Sequence, residues 1–226
     1  MYMIVRSVDK LMILIFLSQI ELGYYHFSIM FLGFFMMVPS TIASVMFPKY
    51  AQKRAEYEDN YPRYANMVLI PMDIMAYFSG VTIITGMIII PPFIRFFLKD
   101  YIPLLEFINI LLVGTYFLSF VFIANDFLIS MKMHWKIVSV YIYTIITNIV
   151  LNYLFVRLGY GLVGISTATT ITFIVFSFSI QAITFNMILG SLAKILKQIL
   201  LSTAIFGLLI LIYFLINTKN FGFYIP

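Results

Sequence analysis

The chain of 226 residues is 63% hydrophobic and only 10% charged, with a mean hydropathy of +1.04. Soluble domains carry about 45–50% apolar and about 25% charged residues, so this composition belongs in a bilayer. The absence of cysteine excludes a disulfide framework, an iron–sulfur site and a thiol nucleophile. The net charge of +5 reads as a topology signal rather than a nucleic-acid footprint, because the basic residues lie in short stretches between apolar runs.

A membrane helix needs about 20 apolar residues to cross about 30 Å of hydrocarbon. Seven runs approach that length, which predicts an all-α integral membrane protein of about seven transmembrane helices. The first runs from Tyr2 to Ile20. It reads as a retained helix and not as a signal peptide, since its charges follow the apolar start and no small-residue cleavage site comes after. Leu22-Gly23 should end it, because glycine tolerates a left-handed backbone. The second span, Tyr24 to Phe47, contains Gly33, Pro39, Ser40 and Thr41, which should kink or loosen it. Phe47-Pro48 should close it and open KYAQKRAEYEDNYPRY, residues 49–64, a charged helical stretch at the headgroups or in the cytosol.

The third span runs from Tyr64 to Ile90, with Pro91-Pro92 expected to end it for want of backbone donors. FIRFFLKDY then alternates aromatics with Arg95, Lys99 and Asp100, which suits the membrane interface. The fourth, fifth and sixth spans are Leu104 to Ser130, Trp135 to Phe155 and Leu162 to Met187. Gly159 and Gly161 separate the last two. Gly190 to Lys197 is an amphipathic connector to a seventh span, Gln198 to Ile216.

With the amino terminus in the cytoplasm, ten basic residues face inward: Arg6, Lys10, Lys49, Lys53, Arg54, Arg63, Lys132, Lys136, Lys194 and Lys197. Four face outward: Arg95, Lys99, Arg157 and Lys219. That asymmetry favours this orientation.

Polar residues inside the spans are the candidate functional groups, because an ionised group at the bilayer centre costs about 2.5–3.5 kcal/mol even on insertion scales. Arg6, Asp9 and Lys10 share one side of the first helix, and the spacing lets Arg6 pair with Asp9. The plainer reading has them snorkelling at the helix end. Asp73 follows Pro71 in the third span, and Asn125-Asp126 lie in the fourth. Asn148 and Asn152 are four apart in the fifth, where hydrogen bonding between helices competes with a direct ligand role. The small residues of GYGLVGISTATTIT, residues 159–172, with Gly164 four before Ala168, signal close helix packing.

Enzyme motifs are absent: no His-Glu-x-x-His, no Gly-rich loop ending in Gly-Lys-Ser/Thr, no Gly-x-Ser-x-Gly. His26 and His134 are far apart, and no motif asks for a metal or an organic cofactor. No soluble ATP-binding unit is present, so transport would run on an ion gradient, a substrate gradient or a partner.

SVDKLMILIFLSQIELGYYHFS followed by VPSTIASVMFPKYAQ resembles the start of the second half of polysaccharide flippases, in the MATE-like oligosaccharide/lipid flippase superfamily. Asp9-Lys10, Leu22-Gly23-Tyr24-Tyr25 and Phe47-Pro48-Lys49 carry the likeness. Further matches follow in order at PPFIRFFLKDYIPLLEFINILLVGTYF, at Asn125-Asp126-Phe127 and at NIVLNYLFVRLGYGLVGISTATTIT. The resemblance implies that residues 1–190 form one six-helix lobe of a two-lobed transporter, with residues 191–226 adding a connector and a further helix. The other, amino-terminal lobe would be absent or carried by a second membrane chain.

The resemblance further implies export of an oligosaccharide on an undecaprenyl-type lipid across the bacterial cytoplasmic membrane, by alternating access. It puts Asp9 and Lys10 on a central cavity, with Arg6 and Lys10 as anion contacts for the pyrophosphate. Asp9, Asp73 and Asp126 become ion-coupling or helix-pairing groups. A cation-coupled drug or metabolite exporter of the same superfamily is the alternative. A non-transporting scaffold or remnant is another, and an intramembrane glycan polymerase is weaker still.

Overall fold

A computed structural model describes residues 2–57 and 60–221, and they form an all-α protein. The helices are α1 (Tyr2–Phe16), α2 (Gln19–Tyr57), α3 (Ala65–Phe97), α4 (Ile108–Ser130), α5 (His134–Arg157), α6 (Gly161–Leu189) and α7 (Leu192–Phe221). Short 3-10 segments, Tyr61–Tyr64 and Lys99–Glu106, lead into α3 and α4. Among the described residues five helices, α2 to α6, are long and apolar enough to cross a membrane. This is the build of a multi-pass membrane protein.

Several expected boundaries move. The first break falls at Leu17-Ser18, not at Leu22-Gly23. There Ser18 and Glu21 form a reciprocal cap: Ser18 N and Oγ donate to Glu21 Oε2 at 2.9 and 2.7 Å, and Glu21 N donates to Ser18 Oγ at 3.2 Å. Gly23 is an interior residue of α2. In consequence α1 has 15 residues and a length of about 22 Å, too short to be the first full span that the sequence suggests. The seventh expected span lies within α7, many of whose side chains fall outside the described residues.

Nor do the prolines end helices. α2 runs through Pro39 and Pro48 for 39 residues, and α3 runs through Pro71, Pro91 and Pro92 for 33. Within a bilayer no water waits to take up freed backbone groups, so breaking a helix costs more than bending it. One freed carbonyl has a visible substitute. Pro71 cannot donate to Met67 O, and the Tyr50 hydroxyl of α2 donates to it instead, at 3.2 Å. The connector expected at Gly190 to Lys197 is shorter than thought, because α7 starts at Leu192; Gly190 itself is a left-handed cap with φ 60°.

The core is centred on α4, which packs against α2, α3 and α6. Leu111, Leu112, Tyr116, Phe120, Ile123 and Phe127 are all buried there. The seam of α4 with α6 is close: a Cβ on Gly114 would stand 3.0 Å from Thr170 Cα, and Thr170 Oγ1 donates across to Ile110 O at 2.7 Å. α7 packs against α3 and α6 and also touches α4. Gln198 Nε2 donates to Asp73 Oδ1 at 2.6 Å, and Phe206 stacks on Tyr116 with centroids 3.8 Å apart.

The helices alternate in direction, so most cations collect at one end. There Arg54 Nη1 donates to Ser130 O at 3.1 Å, at the carbonyl end of α4, where a cation is favoured. Arg63 and Lys53 lie over the Tyr57 ring, and Lys53 pairs with Glu56. Single cysteines at Lys53 and at Lys99, on either side of α3, are expected to react with an impermeant thiol reagent from opposite faces of the membrane. Reaction from one face only would refute this topology.

α4 and α5 are joined by a tight cap in which Lys132 takes φ 60°, Lys132 N donates to Ile129 O at 2.9 Å and Met133 N to Leu128 O at 3.0 Å. Glycine holds the equivalent position after α5, with φ 82° at Gly159. A left-handed backbone costs an L-residue roughly 1–2 kcal/mol, so Lys132→Gly should raise thermal stability in detergent. An unchanged or lower midpoint would contradict that.

Candidate functional site

One buried side chain ties four helices together: the carboxylate of Asp9, fully buried on α1. Leaving it without partners in hydrocarbon would cost several kcal/mol. Three other helices supply donors. From α2, Tyr25 Oη donates to Oδ2 at 2.5 Å. From α6, Thr169 Oγ1 donates to Oδ2 at 2.8 Å, shared with its own Ile165 O at 2.9 Å. From α5, Asn152 Nδ2 and Asn148 Nδ2 donate to Oδ1 at 2.7 and 3.1 Å. Asn152 Nδ2 also reaches Asn148 Oδ1 at 3.3 Å.

Local sequence explains the convergence. Four-residue spacing puts Asn148 and Asn152 on one face of α5. The Ser18–Glu21 cap turns the chain so that Asp9 and Tyr25, seven to nine residues on either side, return to the same level. Thr169 stands eight residues inside α6. At 1.5 Å per residue the site lies about 12 Å below the end that holds the Ser18 and Gly159 turns. It is therefore nearer the end with few cations.

All four donors are neutral, and no described residue forms a salt bridge with Asp9. The Arg6–Asp9 pair that the spacing allowed is not formed, because Asp9 points into the bundle. Arg6 and Lys10 are half-buried on α1, within about one turn of it. Two more polar atoms near this level have no hydrogen-bond partner although buried: Asn152 Oδ1 and Ser166 Oγ. Carboxylate, carboxamide, hydroxyl and Ile165 carbonyl oxygens make a hard-oxygen set suited to a small cation. A half-turn of either carboxamide exchanges its N–H donors for a carbonyl oxygen. Among the described residues no three His, Cys, Asp or Glu side chains come together as a transition-metal site.

The remaining candidates lie elsewhere. Asp73 is half-buried at the joint of α3 with α7. Asn125 Oδ1 accepts from Tyr141 Oη at 3.0 Å, between α4 and α5. Asp126 is half-buried beside Tyr50 and Tyr141, close enough to act electrostatically on both phenols. Tyr25 and Thr169 went unrecognised as site residues in the sequence. Tyr25 looked like part of a turn, and Thr169 like one of several small residues in a packing stretch. The chain matches no protein-family model, no curated protein and no solved structure.

Asn152→Ala removes the shorter amide bond to Asp9, and Asn148→Ala the longer. Each should lower stability in detergent by roughly 1–2 kcal/mol, with the larger loss at Asn152. Thr147→Ala, whose hydroxyl bonds only Tyr143 O, should change it little. Equal effects at all three positions would show that Asp9 does not organise the bundle.

Proposed function

We propose that the chain is one lobe of a secondary transporter of the oligosaccharide/lipid flippase type, and that Asp9 is its coupling site for a small cation or a proton. The observation that carries this reading is a fully buried carboxylate among membrane-length helices that, among the described residues, accepts hydrogen bonds from neutral donors. A carboxyl group kept in hydrocarbon at such cost, with no salt bridge to it among the described residues, has a use for an exchangeable ion.

In this reading α1 to α6 form the lobe and α7 is an added helix latched to α3. The cation-rich end faces the cytoplasm of a bacterial inner membrane. The partner lobe comes from outside these 226 residues. The substrate is an oligosaccharide on an undecaprenyl-type diphosphate lipid, and Arg6 and Lys10 contact its phosphates. An arriving ion would turn the carboxamides of Asn148 and Asn152, and so alter how α1 is held against α5 and α6. Only an ion that binds the two arrangements unequally shifts the balance between inward and outward openings.

The test is translocation of a lipid-diphosphate oligosaccharide in proteoliposomes holding this chain and its partner lobe, scored by protection from an impermeant lectin. Asp9→Asn should slow it by about 10²-fold, the scale on which positioned proton-transfer groups act, while Asp73→Asn should leave it nearly intact. Translocation that ignores every cation gradient, or that survives Asp9→Asn, would overturn the proposal. Efflux of small organic cations with no glycan movement would point to the exporter reading instead.

A further inference from the structure

The turn from α4 to α5 gathers cations with no described counter-ion. Lys132 and Lys136 flank it, and both are exposed. From α2 the half-buried Arg54 reaches the same place, donating from Nη1 to Ser130 O at 3.1 Å. That bond uses one of the five N–H donors of a guanidinium and holds the group two residues from Lys132. No described residue forms a salt bridge with any of the three cations. Three carboxylates lie toward this end among the described residues. Glu56 pairs with Lys53, and Asp73 accepts from Gln198. Asp126 stands about 6 Å deeper than Ser130 along α4.

Two features mark this patch as more than a solvated turn. Trp135, the chain's one tryptophan, is 84% exposed in the first turn of α5. It stands where two membrane-length helices meet the headgroups, the level that tryptophan favours. Lys132 takes a left-handed backbone, φ 60°, of the kind that Gly159 takes after α5. An L-residue is strained there, so a cation stands where glycine would fit better.

We propose that Arg54, Lys132 and Lys136 bind the phosphodiester headgroup of an anionic phospholipid, with Trp135 against its acyl chains. The guanidinium presents paired N–H groups to phosphate oxygens, and the two ammonium groups add point charges on flexible stems. A lipid suits this place better than a soluble phosphate. Its phosphate is confined to the layer in which the three cations lie. Its chains cover the apolar surface beside them, where Trp135, Val138 and Ile142 of α5 are all exposed. A zwitterionic lipid brings its own cation, so the patch discriminates against it.

Trp135 is itself the probe. The full chain is reconstituted in bilayers that mix phosphatidylglycerol with phosphatidylcholine, one of the two spin-labelled near the top of an acyl chain. Quenching of the tryptophan fluorescence then gives the relative occupancy of the two lipids beside Trp135. Phosphatidylglycerol should be preferred by at least about tenfold, and Lys132→Gln, Lys136→Gln and Arg54→Gln should each lower that preference by about fivefold, the weight of one interfacial cation. Lys194→Gln removes an exposed cation at the same end, on α7, and should leave the preference unchanged. Both lysines of the site are exposed, so their variants test it even if Arg54→Gln misfolds. Equal quenching by the two lipids would overturn the site. An equal loss in Lys194→Gln would overturn it too, showing attraction spread over the whole surface. Displacement of the labelled lipid by millimolar inorganic phosphate would overturn a lipid as the occupant.

Discussion

A carboxylate in hydrocarbon must find its hydrogen bonds inside the protein, and that requirement shapes the helices around Asp9. α1 is short and much of its surface is exposed, with Met3, Ile4, Leu11, Leu14 and Ile15 all outward. Its inward face contributes Val5, Asp9, Met12 and Ile13. Apolar contacts of this kind are poor at fixing a register in a membrane, since lipid tails compete for them on equal terms. The four hydrogen bonds to Asp9 fix depth and rotation together. Sliding α1 by one residue would turn Asp9 through about 100° and aim it away from three helices at once.

The same accounting applies to the backbone. Long helices through several prolines look improbable when judged by soluble proteins. In a bilayer an interrupted helix exposes several unpaired groups, whereas a proline frees one carbonyl, and a neighbour can answer it. Tyr50 does so for Met67. That hydroxyl lies in an aromatic set, with Tyr50 and Tyr64 both edge-on to Phe127, so α2, α3 and α4 meet where α3 most needs a donor. Polar satisfaction and packing here are one arrangement.

These constraints decide what the sequence discloses. The all-α class and the interiors of the central spans were legible, because apolar length is a strong signal. Asp9, Asn148 and Asn152 were legible for the opposite reason, being out of place there. Their meeting was not, since nothing local tells α1 that its partners lie about 140 positions away in α5. Thr169 was hidden among Thr167, Thr170 and Thr172, each of which satisfies its hydroxyl on a backbone carbonyl. Helix ends were misread where glycine and proline were given their soluble-protein weight. The Ser18-x-x-Glu21 cap was in plain view, yet Gly23 drew the boundary. Glycine and proline are commoner in membrane helices than in soluble ones and stop them less.

The choice of partners at Asp9 carries the functional argument furthest. A lysine or arginine in place of the asparagines would have made a closed ion pair, whose charge balance leaves nothing for a third ion to supply. Breaking such a pair in the interior costs roughly 3–5 kcal/mol, which would hold the site in one state. Neutral donors act differently. They lower the cost of burying the carboxylate without pairing it to a fixed cation, so in the proposed coupling role a proton or a small cation gains by arriving. Asparagine adds a second property, because donor and acceptor sit on one rotatable group. The same two side chains can face a bare carboxylate with N–H and an ion with C=O. Both asparagines project from α5, which packs against α1 and α6, so their rotation bears on the joint between those helices. The coupling role proposed for Asp9, binding and releasing an ion, needs that combination of an unpaired carboxyl group and reversible ligands.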